Sequence, residues 1–177
     1  MPPPSGLILE VSINCDSWIS ALPDYEKYCN LCVEQITQHI LEARSLCNLP
    51  HVELSIVLCD DALIRELNHD YRSKDKPTNV LSFQGLDDQE IDLYLRNSQV
   101  VPDHPLSLGE IFIAYETMRS EADKSVVKLS EHFQHIVIHG VLHVLGYDHI
   151  DDEEAKIMEA IETRLLKKLG IDDPYNA

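Results

Sequence analysis

Three histidines in the C-terminal third of the chain limit its architecture more than any other feature. They occur in the run His139-Gly-Val-Leu-His143-Val-Leu-Gly146-Tyr-Asp-His149. Residues four apart on an α-helix lie on one face, one turn above the other. His139 and His143 therefore require a helix. Gly146 supplies a residue that enters the left-handed region cheaply and stops that helix. The chain can then turn back and carry His149 to the same point. Three imidazoles meeting there leave one position of a tetrahedral zinc open, and a metal with an open position activates water near neutral pH. This reading makes the chain a metal-dependent hydrolase with the ion at a helix–turn.

The spacing H-x-x-x-H-x-x-G-x-x-H is that of the metzincin proteases, with one substitution. Their first histidine is followed by the glutamate that serves as general base. Here that residue is Gly140, which argues against peptide hydrolysis. The chain holds nine histidines, and not all are ligands. His135, His139 and His143 stand at i, i+4 and i+8, but the outer pair is separated by about 12 Å of helix rise. Zn–N bonds of about 2 Å cannot span that distance. His135 is therefore expected to be exposed or to sit behind the ligands, and His132 to be a surface or satisfied core residue.

The chain has 177 residues, 44% of them hydrophobic, enough for one domain with a packed core. It has no apolar run long enough to cross a bilayer. The start, Met1-Pro-Pro-Pro-Ser-Gly6, lacks the charged and apolar regions of a secretory signal. Of five cysteines, Cys29 and Cys32 form a C-x-x-C inside a helical pattern and read as core thiols. A soluble protein of a reducing compartment is expected. The net charge of −17 (14 Lys+Arg against 31 Asp+Glu) argues against broad, nonspecific nucleic-acid binding.

Periodicity gives an α+β fold. Leu7 to Ile13 alternates in part, and Val52, Leu54, Ile56 and Leu58 alternate strictly, as strands do. Asn79–Phe83 and Leu108–Ala114 read as two further strands. Tyr25 to Cys47 reads as one helix. Asp60 or Asp61 caps a short helix through Leu67, another helix starts at Tyr115, and Ser130 caps the histidine helix. The last helix starts near Asp151, carries Ile157, Met158, Ile161, Leu165 and Leu169 as its apolar stripe, and stops at Gly170. Residues 84–107, with several acids, Pro102 and Pro105, read as an irregular loop insertion. The expectation is a single domain over 1–177: a small mixed sheet of about four strands packed with about five helices.

A second constellation lies between Arg65 and Lys76, which hold four basic and three acidic side chains. Arg72 stands out. A guanidinium is a planar fork of donors suited to phosphate, and beside a metal it suits phosphodiester cleavage. The plainer alternative is a loop leading into a strand at Pro77.

Taken in order, Leu67-Asn-His-Asp-Tyr-Arg-Ser-Lys-Asp-Lys-Pro-Thr-Asn-Val-Leu-Ser-Phe83, Leu108-Gly-Glu-Ile-Phe-Ile-Ala114 and the histidine run resemble the YbeY-type endoribonucleases, or rRNA maturation factors. The likeness runs from about Val52 to Gly170. It implies a zinc-bound, single-strand-specific RNase in the cytoplasm of bacteria or in an organelle descended from them. It further implies action at the 3′ end of small-subunit (16S) ribosomal RNA and in ribosome quality control. Single-stranded rRNA and small-subunit ribosomal proteins would be the partners. Carried over by position, His139, His143 and His149 would hold one zinc ion and Arg72 would be the catalytic arginine. Asp148 is a candidate for orienting a ligand imidazole. Two residues depart from the family pattern: Asn79 stands where aspartate is usual, and Glu110 stands where L-G-D is usual. The rival readings are a noncatalytic ribosome-assembly factor with bound zinc and, with less support, a metalloprotease.

Overall fold

Val52, Leu54, Ile56 and Leu58 all reach the core from one face of strand β2 (Val52–Cys59), as their alternation requires. The structure, a computed structural model, describes residues 6–97 and 100–176. The Pro-rich start at 1–5, positions 98 and 99 of the 84–107 stretch, and residue 177 lie outside the described residues. Strand β1 (Leu7–Ile13) pairs with β2 in parallel. Strand β4 (Leu106–Ala114) lies parallel to β2 on its other side, and β3 (Val80–Gln84) runs antiparallel to β4 at the edge. The order is β1-β2-β4-β3, a four-stranded mixed sheet as expected.

The described residues form eight helices, more than the five expected: α1 (Ser17–Ala21), α2 (Tyr25–His39), α3 (Leu41–Leu46), α4 (Asp61–Arg72), α5 (Asp88–Glu90), α6 (Tyr115–Ser125), α7 (Leu129–Val144) and α8 (Asp152–Lys168). Short α1 carries Trp18, whose fully buried indole donates to the Cys59 carbonyl. The helix expected over 25–47 is broken at Ile40, which is extended (φ −107°, ψ 129°). That break turns α3 so that Ala43 and Leu46 reach the same core as Cys32 and Ile36. Cys29 and Cys32 are buried thiols, and burial pushes Cys29 up to about 12.

Helix ends follow local chemistry in two cases and depart from it in one. The Asp60 carboxylate accepts the Leu63 N–H at 2.9 Å to cap α4, and Asp151 accepts the Glu154 N–H at 2.8 Å to cap α8. Ser130, by contrast, is not the cap of α7. That helix begins at Leu129 behind Lys128, which gives no side-chain cap, and Ser130 lies in the first turn, where its carbonyl accepts from Gln134. In α8, Met158 and Leu165 are buried as expected, whereas Ile157 is 57% exposed.

The stretch 84–107 also departs from expectation. Asp87 and Glu90 form a reciprocal capping box on α5, which continues as a π-helical segment, Ile91–Arg96. Its Ile91 and Leu95 are fully buried in the main core. Arg96 reaches Glu42 of α3 at 3.2 Å, and the Ser45 hydroxyl donates to the Leu95 carbonyl at 2.7 Å. An irregular surface loop would tolerate truncation here. We expect Leu95→Ala to cost about 2–5 kcal/mol, the range for buried Leu→Ala changes, read as a lower urea midpoint.

Helix α7 lies against the sheet beside β3 and β4. Gly140 makes the close approach. A Cβ there would lie 2.9 Å from Ile111 Cγ2 and 3.2 Å from Ser82 Oγ. The Ser82 hydroxyl donates to the Gly140 carbonyl at 3.2 Å. This face of α7 is clamped to the sheet, which leaves His139 and His143 on a neighbouring face, toward the free side of β3.

Candidate metal centre

His139 and His143 project from the last two turns of α7, with their Nε2 atoms 3.0 Å apart. The helix then ends in a Schellman turn: the Tyr147 N–H donates to the Leu142 carbonyl and the Gly146 N–H to the His143 carbonyl, both at 3.0 Å. Gly146 has φ +100°, which a side chain would strain. The turn brings His149 back, so one ligand atom from each of His139, His143 and His149 lies within 4.8 Å of the others. The three-histidine geometry expected from spacing is therefore present. Among the described residues no fourth His, Cys, Asp or Glu joins the group.

The residues fit a metal ion. Two nitrogens on a tetrahedral zinc stand about 3.4 Å apart for bonds of about 2.1 Å, close to the observed separation. The protons are placed accordingly. The Tyr147 carbonyl, which can only accept, takes the His143 Nδ1–H at 3.0 Å, leaving the Nε2 lone pair free. The Glu162 carboxylate takes the His139 Nδ1–H at 2.5 Å. Two lone pairs thus face each other, an arrangement that a cation stabilises. Burial pushes the His143 imidazole down to about 4, and the neighbouring His139 and His149 add to the effect. It is therefore neutral and able to ligate at pH 7.

Glu162, on α8, is the residue at the histidine group that the sequence reading missed. Its carboxylate is 0% exposed and also accepts from His135 at 3.1 Å. A signal for it exists: Glu162 sits on the buried side of α8 with Met158 and Leu165, where the helical period calls for an apolar residue. His135 thus stands behind the ligands, as expected. Asp148 was the carboxylate expected to orient an imidazole. Its carboxylate instead accepts the His149 backbone N–H at 2.8 Å, so it shapes the turn, and the imidazole partner is Glu162. The phenol of Tyr147 donates to Glu42 at 3.0 Å. Together with the Arg96–Glu42 bond, this ties the histidine turn to α3 and the π-helical segment.

A cleft of about 750 Å³ opens over the histidines, lined also by Arg72, Asn79, Ser82 and Asp148. Arg72 is exposed at the C-terminal end of α4 and makes no ion pair among the described residues. Chain segments far apart in sequence thus bring the guanidinium and the imidazoles to one space. Asn79, the first departure from the family pattern, donates to Glu121 at 3.0 Å, and Glu121 also bonds His132 at 2.7 Å. An aspartate at 79 would face that carboxylate with a like charge. Glu110, the second departure, is exposed on β4 and pairs in register with Phe83 and Ser55. It does not line the cleft. The position that holds the protease base is Gly140, buried and packed so closely on Ile111 and Ser82 of the sheet that a side chain there would meet them.

A mixed sheet layered with helices, bearing three convergent histidines and an arginine on one cleft, defines an α+β protein with a histidine group at a helix–turn that could hold a metal ion. The chain belongs to the family described as Endoribonuclease YbeY, which matches residues 22–170. It is 50% identical to the Endoribonuclease YbeY of Paramagnetospirillum magneticum over 94% of each chain. It is 40% identical to that of Bradyrhizobium diazoefficiens, over 99% of this chain and 88% of the relative. A solution structure of a Thermotoga maritima protein shares the fold at a TM-score of 0.56, with 21% identity over 92% of this chain and 89% of the other. No helix among the described residues is long and apolar enough to cross a membrane.

Proposed function

We propose that this chain is a zinc-dependent endoribonuclease that cuts single-stranded RNA, acting in the cytoplasm at the 3′ end of small-subunit (16S) ribosomal RNA and in ribosome quality control. One observation carries the reading: Arg72 and the three histidines line the same cleft. The family name borne by relatives at 40% and 50% identity supports the RNase activity. The resemblance described above supplies the rRNA substrate, the ribosomal-protein partners and the compartment.

His139, His143 and His149 would hold the ion, which when bound supplies an activated water and a Lewis acid for phosphodiester hydrolysis. Arg72 binds the scissile phosphate and stabilises the charge that develops on its oxygens. Glu162 and the Tyr147 carbonyl keep the ligand imidazoles in the Nδ1–H form. A fully structural zinc site closes with four protein ligands. The three-residue group here favours catalysis over the noncatalytic assembly factor, and Gly140 disfavours the metalloprotease.

The test is cleavage of labelled single- and double-stranded RNA by chelated and zinc-restored protein. Cutting of the single strand alone, and only with zinc, is the expected result; zinc-loaded protein that leaves RNA intact overturns the reading. Arg72→Ala should keep its zinc content while cleavage falls by about a hundred- to a thousandfold, the usual effect of losing one charge-stabilising donor. Undiminished cleavage by that variant would remove Arg72 from the mechanism.

A further inference from the structure

We propose that the C-terminal tail is a working part of the metal centre, with Tyr175 acting through the buried Glu162 carboxylate to hold His139 in its ligating pose. The inference rests on the metal reading above and adds two positioning residues to it.

Glu162 is fully buried and has no lysine or arginine partner among the described residues. Its donors are His139 on Oε1 and His135 and Tyr175 on Oε2. Both carboxylate oxygens are thus taken up by these donors, and one donor is the imidazole of His139, a member of the three-histidine group. A buried polar group is costly unless it is hydrogen-bonded, and here its hydrogen bonds run between the tail and the histidine group.

The tail is built to deliver the phenol. After α8 the Ile171 N–H bonds back to the Leu166 carbonyl at 2.9 Å, which reverses the chain. Asp173 then accepts from the Thr163 hydroxyl at 3.2 Å and from the Tyr175 N–H at 2.9 Å, pinning the tail along α8. The Tyr175 ring packs edge-on against His135, with centroids 5.4 Å apart. Its outer side is solvent-facing, at 45% exposure, while its hydroxyl donates to Glu162. A simple surface tyrosine would leave its hydroxyl in water. This one spends it on the carboxylate that holds the metal ligand. Burial and the adjacent Glu162 push the phenol well above its ordinary range, so it stays a donor.

The experiment measures zinc affinity of the full chain by competition with a chelating dye, without RNA. It also records the visible absorption of the cobalt-substituted chain, which reports ligand geometry. Tyr175→Phe keeps the ring and removes only the O–H. Zinc binding should weaken about tenfold, the loss expected for one hydrogen bond to a charged group, and the cobalt bands should shift. Glu162→Gln should weaken zinc about ten- to a hundredfold, as loss of an outer partner of a ligating histidine does. Wild-type zinc affinity and an unchanged cobalt spectrum in Tyr175→Phe overturn the proposal, whatever the RNA assay shows. A wild-type chain that binds no zinc overturns the metal reading and this proposal together.

Discussion

His143→Ala should yield a folded protein that has lost both its metal and its RNA cleavage. His143 sits between the other two ligands, its Nε2 3.0 Å from that of His139 and its ring 4.9 Å from that of His149. Zinc held by protein ligands contributes on the order of 10–16 kcal/mol, so removing one of three ligands weakens binding by roughly a thousandfold or more. The fold should survive, because the imidazole is only half-buried and α7 is held mainly by Phe133, Val137, Val141 and Val144. Metal analysis of the purified variant, circular dichroism and the RNA assay check the three parts together. A variant that retains stoichiometric zinc would dissolve the three-histidine site. His132→Ala, whose imidazole bonds Glu121 outside the group, is the control and should keep its zinc.

The second large effect concerns the residue that distinguishes this motif from the protease one. Gly140→Glu restores the H-E-x-x-H pattern and should make an unstable protein, not a protease. Its Cβ would meet Ile111 and Ser82 at 2.9 and 3.2 Å, so α7 would have to move off the sheet. The added carboxylate would be buried there without a cation, and the two costs together should exceed about 4 kcal/mol. Gly140→Ala separates the terms. Overpacking costs about 1–3 kcal/mol, while alanine's helix propensity returns up to about 1 kcal/mol, so a net loss of about 0–3 kcal/mol is expected. Urea unfolding of both variants checks this, with casein hydrolysis as the assay for gained protease activity. Wild-type stability for Gly140→Glu would mean that α7 does not sit against the sheet as described.

The parts of the molecule legible in the sequence are those fixed by contacts close along the chain. The strands follow from alternation, the caps at Asp60 and Asp151 from carboxylates before helices, and the metal group from histidines and Gly146 within eleven positions. The parts that were not legible depend on partners far away. Ile40 breaks a helix that propensity would continue, because the turn packs α3 against α2 and the π-helical segment. The π-helical segment lies in a stretch whose acids and prolines read as a loop, yet Ile91 and Leu95 are buried in the core beside α3. Asp148 is adjacent to a ligand and so drew the orienting role. The carboxylate that takes it, Glu162, lies 23 positions from His139. Arg72 could be picked out by residue type, but its approach to the histidines depends on how α4 and β3 meet at the cleft.

The order of elements along the chain has a consequence for biosynthesis. All four strands are complete by Ala114, before the first ligand at His139, and the carboxylate that seats that ligand comes later still. On a chain emerging from the ribosome the strand segments therefore precede the three-histidine group, which is complete only once His149 has been made.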